Sequence, residues 1–196
     1  IVETKEASIR NIQTNELLNT TVGVKIRQNG GLGSRAEYSL NGLSGSAVRI
    51  FIDGIPISTF GSSYNLNSIP PSMIERIEVI QGGATNAHGI GAMTGVVNIV
   101  LKSAPKKFNA GYALTTGEHG LLNSSFYLGK KIGKWGVQLG QQSQKTAGYI
   151  SNTDFESNKL FVNLEREFKL GREKGHVSIF YAENQKAFGA QNYYST

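Results

Sequence analysis

From Phe108 onward the sequence repeats one pattern, and that pattern restricts what the chain can fold into. Phe108, Ala110, Tyr112 and Leu114 alternate with Asn109, Gly111, Ala113 and Thr115. Leu122, Phe126 and Leu128 alternate with Asn123, Ser125 and Gly129, and Trp135, Val137 and Leu139 with Gly136, Gln138, Gly140 and Gln142. Leu160, Val162 and Leu164 alternate with Lys159, Asn163 and Glu165, and Val177, Ile179 and Tyr181 with Ser178 and Ala182. Successive side chains of a strand point to opposite faces. These five segments therefore read as strands with one apolar face and one face of small or polar residues. Two architectures fit: a soluble antiparallel sheet with one wet side, or the wall of a transmembrane β-barrel with lipid outside and water or a plug inside. Connection lengths favour the barrel. Gly133–Trp135 and Gly171–Gly175 are tight turns, whereas TTGEHG (115–120) and QKTAGYISNTDFES (144–157) are longer and polar. Phe108, Trp135, Tyr149 and Phe168, near strand ends, suit an interfacial girdle. No apolar run approaches the ~18 residues of a membrane-spanning helix, a test that an alternating barrel strand escapes.

The first half is built differently. Residues 7–18, ASIRNIQTNELL, have a loosely helical spacing of Ile9, Ile12 and Leu17. Val22 to Arg27 and Ala36 to Leu40 read as short strands around NGGLGS, and Val48 to Ile52 as an apolar strand running into the Asp53-Gly54 turn. Pro70-Pro71 interrupts the chain, and Ser72 is placed to cap one helical turn. Ile74 to Ile80 alternates, with Ile74, Arg76, Glu78 and Ile80 on one side and Glu75, Ile77 and Val79 on the other. Gly82-Gly83 stops it, and Gly95 to Leu101 is a further strand. With 24 Gly and only 4 Pro, the punctuation is tight turns and not a proline-rich linker.

Catalytic motifs do not survive inspection. The chain has no Cys, which removes disulfides, Cys-based zinc sites and thiol nucleophiles. Gly31-Leu32-Gly33-Ser34-Arg35-Ala36 fits a dinucleotide fingerprint, but a strand over Ala36–Leu40 follows where a helix N-terminus is required. His88, His119 and His176 lie on separate elements with no metal-ligand spacing, so no cofactor is expected. Asp53 reads as a turn carboxylate bonding backbone N–H groups, and Glu75 and Glu78 fall on opposite strand faces. The formal charge is +6. Its densest clusters, Lys106-Lys107, Lys130-Lys131 and Lys169 to Lys174, sit beside strand ends without an aromatic-interleaved stripe, which argues against nucleic acid. A soluble β-rich enzyme is the weakest of the readings.

Several segments of the first half resemble, in order and spacing, the plug domain of the TonB-dependent outer-membrane receptors. They are VGVKIRQNGGLGS (22–34), SLNGLSG (39–45), VRIFIDGIPIS (48–58), NLNSIPPSMIERIEVIQGG (65–83) and AHGIGAMTGVVNIVLK (87–102). The resemblance implies a mixed α/β plug domain over residues 1–103, followed over 106–196 by roughly the first five antiparallel strands of a transmembrane β-barrel, incomplete in this chain. It implies a receptor in the outer membrane of a Gram-negative bacterium that takes up a scarce ligand: an iron chelate, haem, a corrinoid or an oligomer. The implied partners are TonB with its inner-membrane energising complex, an extracellular small ligand, the lipid bilayer, and the remainder of its own barrel or a second chain completing it. By the same resemblance, ligand contacts fall on outward plug turns, Asn29, Gly30, Gly31 and Ser34, and Thr59, Phe60, Gly61, Ser62, Ser63 and Tyr64.

The departures are specific. Leu40-Asn41-Gly42 stands where the family usually has Ile-Arg-Gly, Gln81-Gly82-Gly83 where it has Arg-Gly-Pro, and His88 where a tyrosine is common. The two missing arginines commonly pair with barrel glutamates. Arg35, Arg49 and Arg76 are the candidates to replace them, with Glu75 and Glu78 beside them as further plug–barrel contact residues. This departure keeps a second reading open, a structural or accessory plugged barrel within a larger outer-membrane assembly. Residues 1–7, IVETKEA, have the flavour of a TonB box but not its pattern. Family barrels have about 22 strands, so an N-terminal fragment is expected, with Tyr193-Tyr194-Ser195-Thr196 falling in an extracellular loop.

Overall fold

The structure is a computed structural model and describes residues 2–3, 13–19, 23–28, 36–40, 42–44, 48–56, 66–81, 95–170 and 173–189. The chain divides into two compact units, Ile1–Asn67 with Ile74–Leu101, and Ser68–Met73 with Lys102–Thr196.

The first unit contains β1 (Val2–Glu3), α1 (Thr14–Asn19), β2 (Val24–Gln28), β3 (Ala36–Leu40), β4 (Leu43–Ser44), β5 (Val48–Ile52), β6 (Ile55–Pro56), β7 (Ile74–Gln81) and β8 (Gly95–Leu101). Its main sheet has the order β1-β7-β8-β5-β6. β8 is parallel to β5 and antiparallel to β7. That central place explains its sequence: GVVNIVL is a nearly continuous apolar run, as expected of a strand covered on both faces, and Val96, Val97, Ile99 and Leu101 are all buried. Asp53 and Gly54 have φ of 48° and 78° between the paired Ile52 and Ile55. This is the backbone that a two-residue hairpin turn requires, and an Asp-Gly pair supplies it at little cost. A smaller antiparallel sheet runs β2-β3-β4.

Two expectations change. The helix expected over 7–18 is described only from Thr14 to Asn19, and residues 7–12 lie outside the described set. On β7, strict alternation put Ile74 and Ile80 on one side. The ladder with β8 slips between Ile74 and Arg76, an extra residue that breaks period two. Ile74 is accordingly as buried as Ile77, while Ile80 is exposed.

The second unit is an antiparallel meander of β9 (Asn109–Thr116), β10 (Leu122–Ile132), β11 (Trp135–Thr146), β12 (Phe155–Leu170) and β13 (Glu173–Phe188). Gly133, at φ 62°, and Lys134 close the two-residue turn between β10 and β11. Burial alternates along these strands in the sense opposite to that of a soluble sheet. Asn123, Ser125, Gln138, Gln142, Gln144, Ser157, Lys159, Asn163 and Glu165 are buried. Leu114, Leu122, Trp135, Leu160, Leu164, Val177, Ile179 and Tyr181 are exposed. The cross-strand rows Ala110–Leu128–Leu139–Val162–Tyr181 and Lys130–Val137–Leu164–Ile179 place the shielded mid-strand Leu128, Val137, Leu139 and Val162 on that same apolar face.

The apolar face has an end. Beyond the row Tyr112–Phe126–Gln141–Leu160–Glu183 comes Leu114–Ser124–Ser143–Asn158–Gln185, which is mostly polar. On β12 that face runs from Phe168 to Leu160 with Arg166 as its one charged member, about 27 Å along the strand at ~3.4 Å per residue, or roughly 20 Å across a bilayer at ~45° tilt. That is close to the ~25 Å band of an outer-membrane barrel. β12 and β13 have 16 residues each, more than the 9–11 a span needs, and the surplus lies on the polar side of this boundary. Tyr149 sits beyond β11 in the long loop, tilted against His119 at 6.3 Å, and so falls outside the girdle in which the sequence had placed it.

Candidate functional site

The buried face of the second unit is a hydrogen-bonded wall. Row by row it reads Asn123–Gln144–Ser157–Lys186, then Ser125–Gln142–Lys159–Asn184, and further along Gly129–Gln138–Asn163–Phe180. The Lys159 ammonium donates to Gln142 Oε1 at 2.9 Å and to Gln144 Oε1 at 3.4 Å, and Gln142 Nε2 donates to Asn123 Oδ1 at 3.1 Å. Ser157 Oγ donates to Asn184 Oδ1 at 3.0 Å, Asn163 Nδ2 to Gln138 Oε1 at 3.0 Å, and Ser178 Oγ to Asn163 Oδ1 at 2.7 Å. Buried polar groups are costly unless paired. A strand face that buries amides, hydroxyls and an ammonium while exposing leucines is chemically inside out, the arrangement of a wall with lipid on one side and a polar lumen on the other.

The segment Ser68–Met73 belongs to this unit although about thirty residues of the first unit separate it from Lys102. Lys102 N donates to Met73 O at 2.9 Å and Lys102 Nζ to Ser72 O at 2.8 Å. The same ammonium stands 5.7 Å from the Tyr127 ring centroid, in cation–π range. Ala104 N donates to Glu165 Oε1 at 2.9 Å, and Lys131 N to Pro105 O at 2.8 Å. Two glycines of β11 make room for these contacts. A Cβ on Gly140 would lie 2.6 Å from Met73 Sδ, and one on Gly136 would lie 2.7 Å from Ala104 Cβ. Ile69 and Met73 are almost wholly buried. In sequence these glycines read only as part of a small-residue face. The pairing with the Pro70-Pro71 turn carried no signal, because it joins positions far apart in the chain.

In the first unit, Arg76, Glu75 and Glu78 come together on β7. Arg76 Nε donates to Glu78 Oε1 at 2.8 Å, and Arg76 NH1 lies 3.2 Å from Glu75 Oε1. Asn98 Nδ2 adds a bond to Glu78 Oε2 at 3.0 Å. The Asn98 bond first, then Arg76, hold the Glu78 carboxyl below its ordinary range. Asp53 Oδ1 accepts from Leu101 N at 2.9 Å, the backbone bond its turn position led one to expect, and Asn98 Oδ1 accepts from Gly54 N at 3.0 Å. Arg49 is half-buried on β5. A buried amide network not foreseen from sequence links three more elements. Tyr38 Oη donates to Asn15 Oδ1 at 2.8 Å, Asn15 N to Asn67 Oδ1 at 3.0 Å, and Asn67 Nδ2 to Gln13 Oε1 at 3.1 Å.

The ligand-contact candidates Asn29, Gly30, Gly31, Ser34 and Thr59 to Tyr64, and the contact candidate Arg35, lie outside the described residues. Among the described residues no group of three His, Asp or Glu side chains is placed to hold a metal ion.

Residues 4–96 match the family model of the TonB-dependent receptor plug domain. The vitamin B12 transporter BtuB of Vibrio vulnificus (strain CMCP6) is 25% identical over 188 residues, which is 91% of this chain and 31% of that protein. BtuB of Vibrio cholerae serotype O1 (strain ATCC 39315 / El Tor Inaba N16961) is 32% identical over 134 residues, 66% of this chain and 22% of that protein. The chain thus spans about a third or less of the length of the curated relatives it matches. In fold it is similar to the pyoverdine outer membrane receptor FpvA from Pseudomonas aeruginosa PAO1, with TM-score 0.74 and 17% identity over 96% of this chain and 28% of that one. It is also similar to the siderophore receptor PirA from Acinetobacter baumannii, with TM-score 0.70 and 16% identity over 96% of this chain and 32% of that one.

Proposed function

We propose that the chain belongs to the TonB-dependent outer-membrane receptors, whose plug-domain model matches residues 4–96, and that the protein it forms part of takes up a scarce ligand across the outer membrane of a Gram-negative bacterium. In this reading residues 1–103 are the plug, and 106–196 are the first strands of the barrel. The observation that carries it is the inverted chemistry of β10 to β13, with polar side chains buried and leucines exposed. TonB, driven by the inner-membrane proton gradient, pulls on the N-terminal segment, and the plug rearranges to open a path. The ligand is a corrinoid or an iron chelate, the two classes that the named relatives carry or bind, with haem and oligomers as the wider range.

Ligand contact falls on Asn29, Gly30, Gly31 and Ser34 and on Thr59, Phe60, Gly61, Ser62, Ser63 and Tyr64. Glycine there lets backbone approach a ligand closely, and the two aromatics offer stacking faces. The test uses the full-length receptor in a Gram-negative host, with uptake of labelled cobalamin and of a ferric siderophore measured with and without TonB. Uptake that depends on TonB supports the reading. An inserted, folded receptor that takes up neither in either background favours the accessory plugged barrel, for which the absence of the two family arginines speaks. For the site, Phe60→Ala with Tyr64→Ala should weaken binding of the accepted ligand while the receptor stays inserted. Unchanged affinity moves recognition to the extracellular loops.

A further inference from the structure

The basic clusters Lys106-Lys107, Lys130-Lys131 and Lys169 to Lys174 are distant in sequence. The strand register brings their described members to one end of the second unit. Asn109 pairs with Gly129, which sets Lys106 and Lys107 beside the end of β10. Trp135 pairs with Arg166 and Leu170 with Glu173, which sets Lys134 and Lys169 at the same end. Lys106, Lys107, Lys130, Lys134, Arg166 and Lys169 are all exposed there. Of the acids nearby, Glu167 is engaged by Lys131 at 2.6 Å, Glu165 is buried and accepts from Ala104, and Glu173 opens β13 next to Lys174. The long-loop end has the opposite balance among its described exposed residues, where Glu118, Asp154 and Glu156 outnumber Lys145.

The cations also have a particular neighbourhood. They border the exposed apolar side chains Phe108, Ile132, Trp135 and Phe168. The Arg166 guanidinium lies 4.8 Å from the Trp135 ring centroid, on the apolar face itself. Long cationic side chains at the edge of an apolar band lay their stems along it and put their charge at headgroup level. Like charges at one level repel unless a counter-charge lies there, and a row that follows the strand ends matches a continuous anionic sheet better than a single bound molecule. We propose that this rim is a binding surface for anionic phospholipid headgroups in the leaflet that meets the tight turns. The proposal rests on the barrel reading and goes beyond it by naming a lipid charge.

The experiment uses the full-length receptor, first shown to insert into phosphatidylcholine vesicles, so that failure of the barrel reading is seen separately. Native mass spectrometry in detergent then compares retention of added phosphatidylglycerol, phosphatidylcholine and free glycerol phosphate. Preference for phosphatidylglycerol over phosphatidylcholine on the order of tenfold, reduced by high salt, is expected. The variant Lys106→Gln, Lys107→Gln, Lys130→Gln and Lys134→Gln should lose most of that preference, and Lys145→Gln should keep it. Equal retention of both lipids by the unmodified receptor overturns the proposal, as does a preference that the four-site variant keeps. Glycerol phosphate displacing the lipid at equal concentration overturns it too, because a simple ion site would then suffice. Should the four-site variant not fold, the lipid preference and its salt dependence in the unmodified receptor decide alone.

Discussion

A single missing Cβ decides how the Ser68–Met73 segment meets β11. The Met73 thioether occupies the space that a side chain at position 140 would need, with Sδ and Cγ at 2.6 and 2.7 Å from where Cβ would stand. Gly140→Val should therefore destabilise the second unit by about 1–3 kcal/mol through overpacking. Adding Met73→Ala should recover part of the loss, read from the urea midpoint of the refolded receptor. A double variant no more stable than the single one would show that another contact sets the cost. Glu78 makes a second residue-scale prediction. Its carboxyl is held below the ordinary range by Asn98 and then Arg76. A depressed native value means that the group contributes stability in full above its unfolded-state value and loses it as pH falls through the native one. Stability of the unit holding β7 should fall on acidification below the ordinary glutamate range, and Glu78→Gln should flatten that dependence. A variant with an unchanged pH profile would remove Glu78 from the account.

Strands carry the next level. Leu139 sits mid-strand in the row Leu128–Leu139–Val162, with Gln138 next to it on the buried face. Leu139→Arg should cost roughly 2–4 kcal/mol near the bilayer midplane. It should slow insertion into vesicles far more than Leu139→Met does. If Leu139→Arg inserts normally while Gln138→Leu blocks insertion, the two faces are reversed. The facing of these strands was legible because a period of two needs only the identities of neighbours, and Leu160, Val162 and Leu164 against Lys159, Asn163 and Glu165 state it in one segment. Other features were not legible for equally local reasons. The slip between Ile74 and Arg76 depends on the partner strand, so alternation alone misplaced Ile74. The surplus length of β12 and β13 hides in polar residues that a sequence reads as loop. The amides Gln13, Asn15 and Asn67 look like surface residues until a fold buries them together.

At the scale of the molecule, the second unit's sheet runs β13-β12-β11-β10-β9, and among the described residues its two outer strands each pair on one side only. In lipid an unpaired strand edge leaves backbone N–H and C=O groups without partners, each costing several kcal/mol. Closure removes the edges, and a lumen wide enough for a plug takes about 22 strands. The exposed apolar face alone would drive the five strands toward a bilayer, but the edges forbid a stable place within it. The 196-residue chain expressed by itself should therefore collect as aggregate and refold in detergent without the heat-dependent shift in gel mobility that marks a closed barrel. The full-length receptor should insert and show that shift. Lengthening the chain strand by strand should leave the shift absent until the last strand closes the ring, because each intermediate still has two edges. A 196-residue chain that inserts alone and resists protease in vesicles would mean that its edges are satisfied by another route, and self-association into a multi-chain wall would be the first thing to measure by cross-linking.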